Sequence, residues 1–82
     1  MAANLGQNGK GFHEPRYRNL IERLIAARKR LKLSQRQLAN RIGHHQQFVS
    51  RYETGERRLD IVEFIDIARS LNLDVHDLLG SI

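Results

Sequence analysis

Residues 33–55 read L-S-Q-R-Q-L-A-N-R-I-G-H-H-Q-Q-F-V-S-R-Y-E-T-G. Ser34 suits a helix N-cap, because its hydroxyl accepts an orphan backbone N–H. Leu38, Ala39 and Ile42 follow at helical spacing and define one apolar face. Gly43 comes just past that face, where a left-handed residue ends a helix at low cost. A second helix starts near His45, turns Val49 and Tyr52 inward, and stops at Thr54-Gly55. The stretch therefore predicts two short helices joined by a tight glycine turn.

Working outward, Leu20, Ile21, Leu24, Ile25 and Leu31 recur at spacings of three and four. They predict a helix from Arg16 to about Leu31, with Arg28 on the edge of its apolar face. Ahead of it, residues 1–15 carry Gly6, Gly9, Gly11 and Pro15 among polar residues and read as a flexible arm. Such an arm is either a disordered terminus or a basic strap along a DNA groove, with Lys10, Arg16 and Arg18 as its contacts. Downstream, Glu56, Arg57 and Arg58 make a polar loop. Asp60 with Glu63 three residues on has the form of a capping box. Ile61, Phe64, Ile65, Ala68 and Leu71 then give a fourth helix its apolar stripe. Asn72 suits the left-handed position that ends it. Asp74 caps a last helix over Val75 to Leu79, closed by Gly80. No useful run alternates with period two, so no sheet is expected. The expectation is an all-α chain, a compact bundle of five short helices over residues 16–82.

Eighty-two residues suffice for one small domain and not for two. There is no cysteine, hence neither a disulfide framework nor a thiolate metal site. Nothing has the form of a secretory signal or a membrane span, so a cytoplasmic protein with no membrane partner is expected. The net charge of +5 is unevenly spread. Residues 1–58 hold 13 of the 14 Lys and Arg and only four acids; residues 59–82 hold Arg69 against five acids. A basic first part with an acidic end suits a domain that turns one side to a polyanion. A helix pair across a glycine turn adds a shape for it, since the second helix of a helix-turn-helix fits a DNA major groove.

Catalytic readings find little support. No nucleophile elbow, phosphate loop or paired-carboxylate pattern occurs, so no enzyme and no cofactor is expected. His44-His45 suggests a metal site or a pH sensor. Adjacent histidines diverge, however, and closed zinc sites need four ligands, so a turn-surface pair and no metal is the reading. Asp74, His76 and Asp77 are explained by capping and solvent exposure. No small-molecule ligand is evident.

Taken in order, the first helix, L-S-Q-x-x-L-A-x-x-I-G, Q-x-x-V-S-x-Y-E-x-G-E-R-R and L-N-L-D-V-H-D-L-L resemble the Cro/phage-repressor (XRE) helix-turn-helix regulators, over roughly Tyr17 to Leu79. Within that family the chain is most similar to the small stand-alone regulators. The resemblance implies the phage-repressor type of five-helix DNA-binding domain. It also implies roles for matching positions. Gln35 corresponds to a glutamine that contacts a DNA phosphate and braces the second helix of the pair. Gln46, Gln47, Ser50 and Arg51 stand where base edges are read, Gln being suited to adenine and Arg to guanine. Thr54, Arg57 and Arg58 fall in the phosphate-contacting segment. Arg28 and Glu53 correspond to a structural ion pair, with a phosphate contact by Arg28 as a further role. Three positions depart from the pattern: Lys32 replaces the usual glycine, His45 the usual Ser or Thr cap, and Phe48 a smaller or polar residue. Phe48 can pack on the core or face a thymine methyl.

The function expected from this resemblance is sequence-specific binding of double-stranded DNA by a transcriptional regulator, a repressor on a palindromic operator, in a cytoplasmic, nucleoid-associated protein. Val75, Leu78, Leu79 and Ile82 exceed what a short helix needs for docking, and two-fold dimers are the commonest soluble oligomers, so a homodimer is expected. The alternative is an antitoxin-like or adaptor module that keeps the fold and binds another protein through the same surface.

Overall fold

A computed structural model describes residues 14–82. The expectation of an arm therefore falls largely outside the described residues; its last part does not, because Glu14 and Pro15 belong to the first helix. Glu14 is the N-cap, accepting from the backbone N–H groups of Arg16 and Tyr17 at 2.8 and 3.2 Å. Pro15 takes the first helical position, where its missing N–H costs nothing.

Five helices follow: α1 (Pro15–Arg30), α2 (Gln35–Ile42), α3 (Gln46–Thr54), α4 (Ile61–Ser70) and α5 (Val75–Gly80). Among the described residues there is no strand, and no helix is long and apolar enough to cross a membrane. The class is all-α, as the periodicity predicts.

Local chemistry sets the ends. Ser34 and Gln37 form a reciprocal capping box on α2, and Asp60 and Glu63 form another on α4. Asp74 caps α5 by accepting from Asp77 N at 3.2 Å. Four helices stop on a left-handed residue just past their last turn, α3 among them at Gly55 (φ 93°). Lys32 (φ 59°) follows α1, Gly43 (φ 73°) follows α2 and Asn72 (φ 60°) follows α4. After these three the next N–H reaches back five residues. Leu33 donates to Arg28 O at 3.1 Å, His44 to Ala39 O at 2.9 Å and Leu73 to Ala68 O at 2.9 Å, the pattern of a Schellman stop.

The core draws on every helix: Ile21, Leu24 and Ala27, then Leu38 and Ala39, Val49 and Tyr52, Phe64, Ile67 and Ala68, Leu71, and Leu78. Two sequence expectations shift. Leu31 is 37% exposed, because the chain leaves helical geometry there to enter the Lys32 turn. Ile61 is 59% exposed at the first position of α4, beyond the edge of the core, and Ile67 fills the inward position instead. Ile61, Tyr17, Leu20, Leu59, Phe64 and Leu79 line an open apolar groove of about 230 Å³ beside Asp60.

Candidate nucleic-acid interface

α3 has two unlike faces. Val49, Tyr52 and Glu53 are buried, at spacings of three and four. The opposite stripe, Gln47, Arg51 and Thr54, is exposed, with Gln46 beside it and Ser50 half-buried on its border. The side chains of Gln46, Gln47 and Arg51 make no hydrogen bond to any described residue. Thr54 Oγ1 donates to Arg51 O at 3.1 Å and accepts from Glu56 N at 3.4 Å, which closes the last turn. His45 is the N-cap, but its side chain makes no capping hydrogen bond, so the first N–H groups of α3 lack a side-chain acceptor.

The buried face is fastened through one residue. Arg28 of α1 donates from Nε to Glu53 Oε2 at 2.7 Å and from Nη2 to Oε1 at 3.0 Å. Gln35 of α2 donates from Nε2 to the same Oε1 at 2.9 Å. Arg18 of α1 donates from Nη1 to the Glu53 main-chain carbonyl at 3.2 Å. A single glutamate thus collects donors from both preceding helices, and the rest of α3 is positioned around it.

This fastening engages several residues of the expected phosphate set within the domain itself. Arg28 is 8% exposed, and its third donor, Nη1, goes to Leu33 O at 2.8 Å. The three hydrogen bonds of its guanidinium all stay inside the domain. Arg18, read as a contact of a basic arm, is held by Glu22 and by Glu53 O. Gln35 is half-buried and commits one amide hydrogen to Glu53. Arg57 is also tied: Nη1 and Nη2 each donate to a Glu63 carboxylate oxygen at 2.9 Å. That bidentate bond, with the backbone N–H at Asp60 as a smaller cause, holds the Glu63 carboxyl below its usual range. Arg57 further lies 4.8 Å from the Phe48 ring centroid. Arg58, by contrast, is exposed and stands over the Tyr17 ring at 5.3 Å, with no hydrogen-bond acceptor for its guanidinium among the described residues.

Phe48 resolves toward the core. Its ring stacks on His44 at 3.9 Å and meets Tyr52 edge-on at 5.7 Å, with Arg57 over it. The His44 side of the turn is therefore occupied by aromatic packing. Among the described residues no three His, Asp or Glu side chains are grouped as a metal would need.

Among the contacts that sequence reading misses, two tie α1 to the far end of α3 and the loop beyond it. Tyr17 Oη accepts the backbone N–H of Leu59 at 3.0 Å, and Arg18 caps the carbonyl at Glu53. They join residues 42 and 35 positions apart, and no local pattern announces such a pairing. The i,i+4 relation of Arg18 to Glu22 was the one available signal.

Comparison with known proteins adds two positive findings. Residues 24–78 match the helix-turn-helix family model. Among solved structures the chain is similar to an XRE-family like protein from Pseudomonas syringae pv. tomato str. DC3000, at 41% identity and a TM-score of 0.79, over 89% of each chain. Comparison with curated proteins gives no match.

Proposed function

The chain belongs to the XRE-type helix-turn-helix family, and from that premise we propose that it is a sequence-specific double-stranded DNA-binding transcriptional regulator, a repressor that occupies a palindromic operator as a homodimer. The observation that carries the reading is the exposed face of α3. Gln46, Gln47 and Arg51 are exposed, with no hydrogen-bond partner among the described residues, on a helix whose other face is locked through Glu53. In a major groove, a glutamine amide pairs with adenine through one donor and one acceptor, and Arg51 pairs with guanine O6 and N7. Ser50, on the border of the stripe, supplements the readout. Thr54, Arg58 and the second amide hydrogen of Gln35 supply phosphate contacts, which fix register and give the affinity its salt dependence.

The apolar groove supports the homodimer. Ile61, Val62, Leu79 and Ile82 are between 43% and 62% exposed, on residues that carry the acidic half of the charge and so face away from DNA. Two copies would read half-sites roughly 34 Å apart, one helical turn. Such a protein works in the cytoplasm, on the nucleoid. Selection of duplexes from a random pool tests the proposal. The expected result is an inverted repeat with half-sites about one turn apart; a pool that enriches no motif overturns it. The same groove favours the second reading, an antitoxin-like or adaptor module. Salt-sensitive retention on any duplex, together with a tight heterologous partner whose binding is lost in Leu79→Asp, would select that reading.

A further inference from the structure

We propose that Arg18 is a positioning residue for α3, which fixes from α1 the point where the helix ends and the loop toward Arg58 begins. Glu53 is the penultimate residue of α3, and its carbonyl is among the last four that have no partner within a helix. Arg18 Nη1 supplies that partner at 3.2 Å, and a cation there also complements the negative end of the helix dipole. Glu22 holds Arg18 in place through a 2.5 Å ion pair with Nη2, one turn along the same helix, and the arginine side chain is 29% exposed. Just beyond, Gly55 turns left-handed at φ 93°, and a Cβ added there would lie 3.7 Å from Arg18 Nη1, so the arginine covers the turn itself. Glu53 is therefore held twice, by its carboxylate through Arg28 and Gln35 and by its backbone through Arg18. The carboxylate bonds orient the helix; the backbone bond sets its exit. Both terminal nitrogens of Arg18 meet protein oxygens, which separates this role from a phosphate contact.

The consequence for DNA rests on the DNA-binding function proposed above; the consequence for the helix end does not. The test therefore has two arms, applied to the full chain, to Arg18→Met and to Arg18→Lys. Without DNA, amide exchange is followed at Gly55 and Arg57, whose N–H groups both donate to Arg51 O at 3.1 Å. Exchange there should quicken about tenfold in Arg18→Met, the factor one charge-assisted bond carries, while Leu24 and Ala27 amides keep their rates. On the duplex selected by the wild-type chain, affinity should fall about tenfold, with affinity for unrelated duplex and the salt slope both retained. Arg18→Lys, which keeps the charge and a donor, should fall between in both arms and serves alone if Arg18→Met does not fold. Unchanged exchange at Gly55 and Arg57 overturns the proposal. A salt slope reduced by about 0.9 with an unchanged specificity ratio also overturns it, and makes Arg18 a phosphate contact. If the wild-type chain selects no duplex, the DNA-binding function fails, and the exchange arm still decides whether Arg18 sets the helix end.

Discussion

Arg28 and Glu53, 25 residues apart in the chain, meet through two hydrogen bonds of 2.7 and 3.0 Å, with only 10% and 7% of their side chains exposed. Desolvation of such a pair offsets much of its attraction, so its value lies in fixing how α1 and α3 cross. Removing one partner is another matter, because it strands the other charge. Arg28→Met should destabilise the domain by about 3–5 kcal/mol. The double variant Arg28→Met/Glu53→Leu should cost less than either single change. Urea denaturation of the four proteins measures this, and additive losses would refute the coupling.

Tyr52 is fully buried, and its hydroxyl has no hydrogen-bond partner among the described residues. Tyr52→Phe should therefore raise stability, by about 1 kcal/mol. The phenol also makes a pH prediction. Burial, and next the neighbouring Glu53 charge, push its pKa up from the ordinary 10.0. Above pH 10 the unfolded chain releases this proton while the folded chain keeps it, so stability falls as pH rises. Chemical denaturation between pH 8 and 11 should show a shallower alkaline decline for Tyr52→Phe than for the wild-type chain.

Lys32 holds φ 59° where the same turn after α4 uses Asn72 at φ 60°. Asparagine tolerates that region; lysine pays for its Cβ there. Lys32→Gly should stabilise by about 0.5–1 kcal/mol, and Lys32→Asn by less with the same sign. A lower thermal midpoint in both variants would mean that the lysine makes a compensating contact.

His45 occupies an N-cap without capping. His45→Ser should add the missing acceptor for an N–H in the first turn of α3 and stabilise by about 1 kcal/mol. The readout is the thermal midpoint, with helix content unchanged.

On DNA, the exposed stripe and the loop should behave differently. Gln46→Ala and Gln47→Ala should each cost about 1–3 kcal/mol on the selected duplex and relax preference at one base pair. Arg58→Ala should weaken binding to every duplex and lower the salt slope by about 1. Titrations at several salt concentrations separate the two classes. A Gln variant with unchanged specificity would remove that residue from the readout.

The helices were legible because their signals are local. Ser34, Asp60 and Asp74 cap where their side chains predict, and Gly43, Gly55 and Asn72 turn left-handed where the apolar stripes end. The two faces of α3 follow from spacing alone. What stayed hidden depends on competition between like residues. Several arginines could have answered Glu63, and only the folded chain shows that Arg57 does, which leaves Arg58 without a hydrogen-bond acceptor among the described residues. Arg28 reads as an edge residue because its charge argues against burial, until Glu53 and the Leu33 carbonyl supply the partners that make burial tolerable. Ile61 reads as core because periodicity does not say where along a helix the core stops.

The left-handed stops after α1, α2 and α4 have a consequence for the entropy of assembly. Those three corners close through hydrogen bonds spanning five residues or fewer, so neighbouring helices find their directions with small loops and little ordering cost. The fourth corner, residues 55–60, is anchored differently. Its ends are tied to α1, at Glu53 O by Arg18 and at Leu59 N by Tyr17, across 35 and 42 residues. That corner therefore takes its longest-range anchors from the first helix, and its shape reports on how α1 packs against the rest.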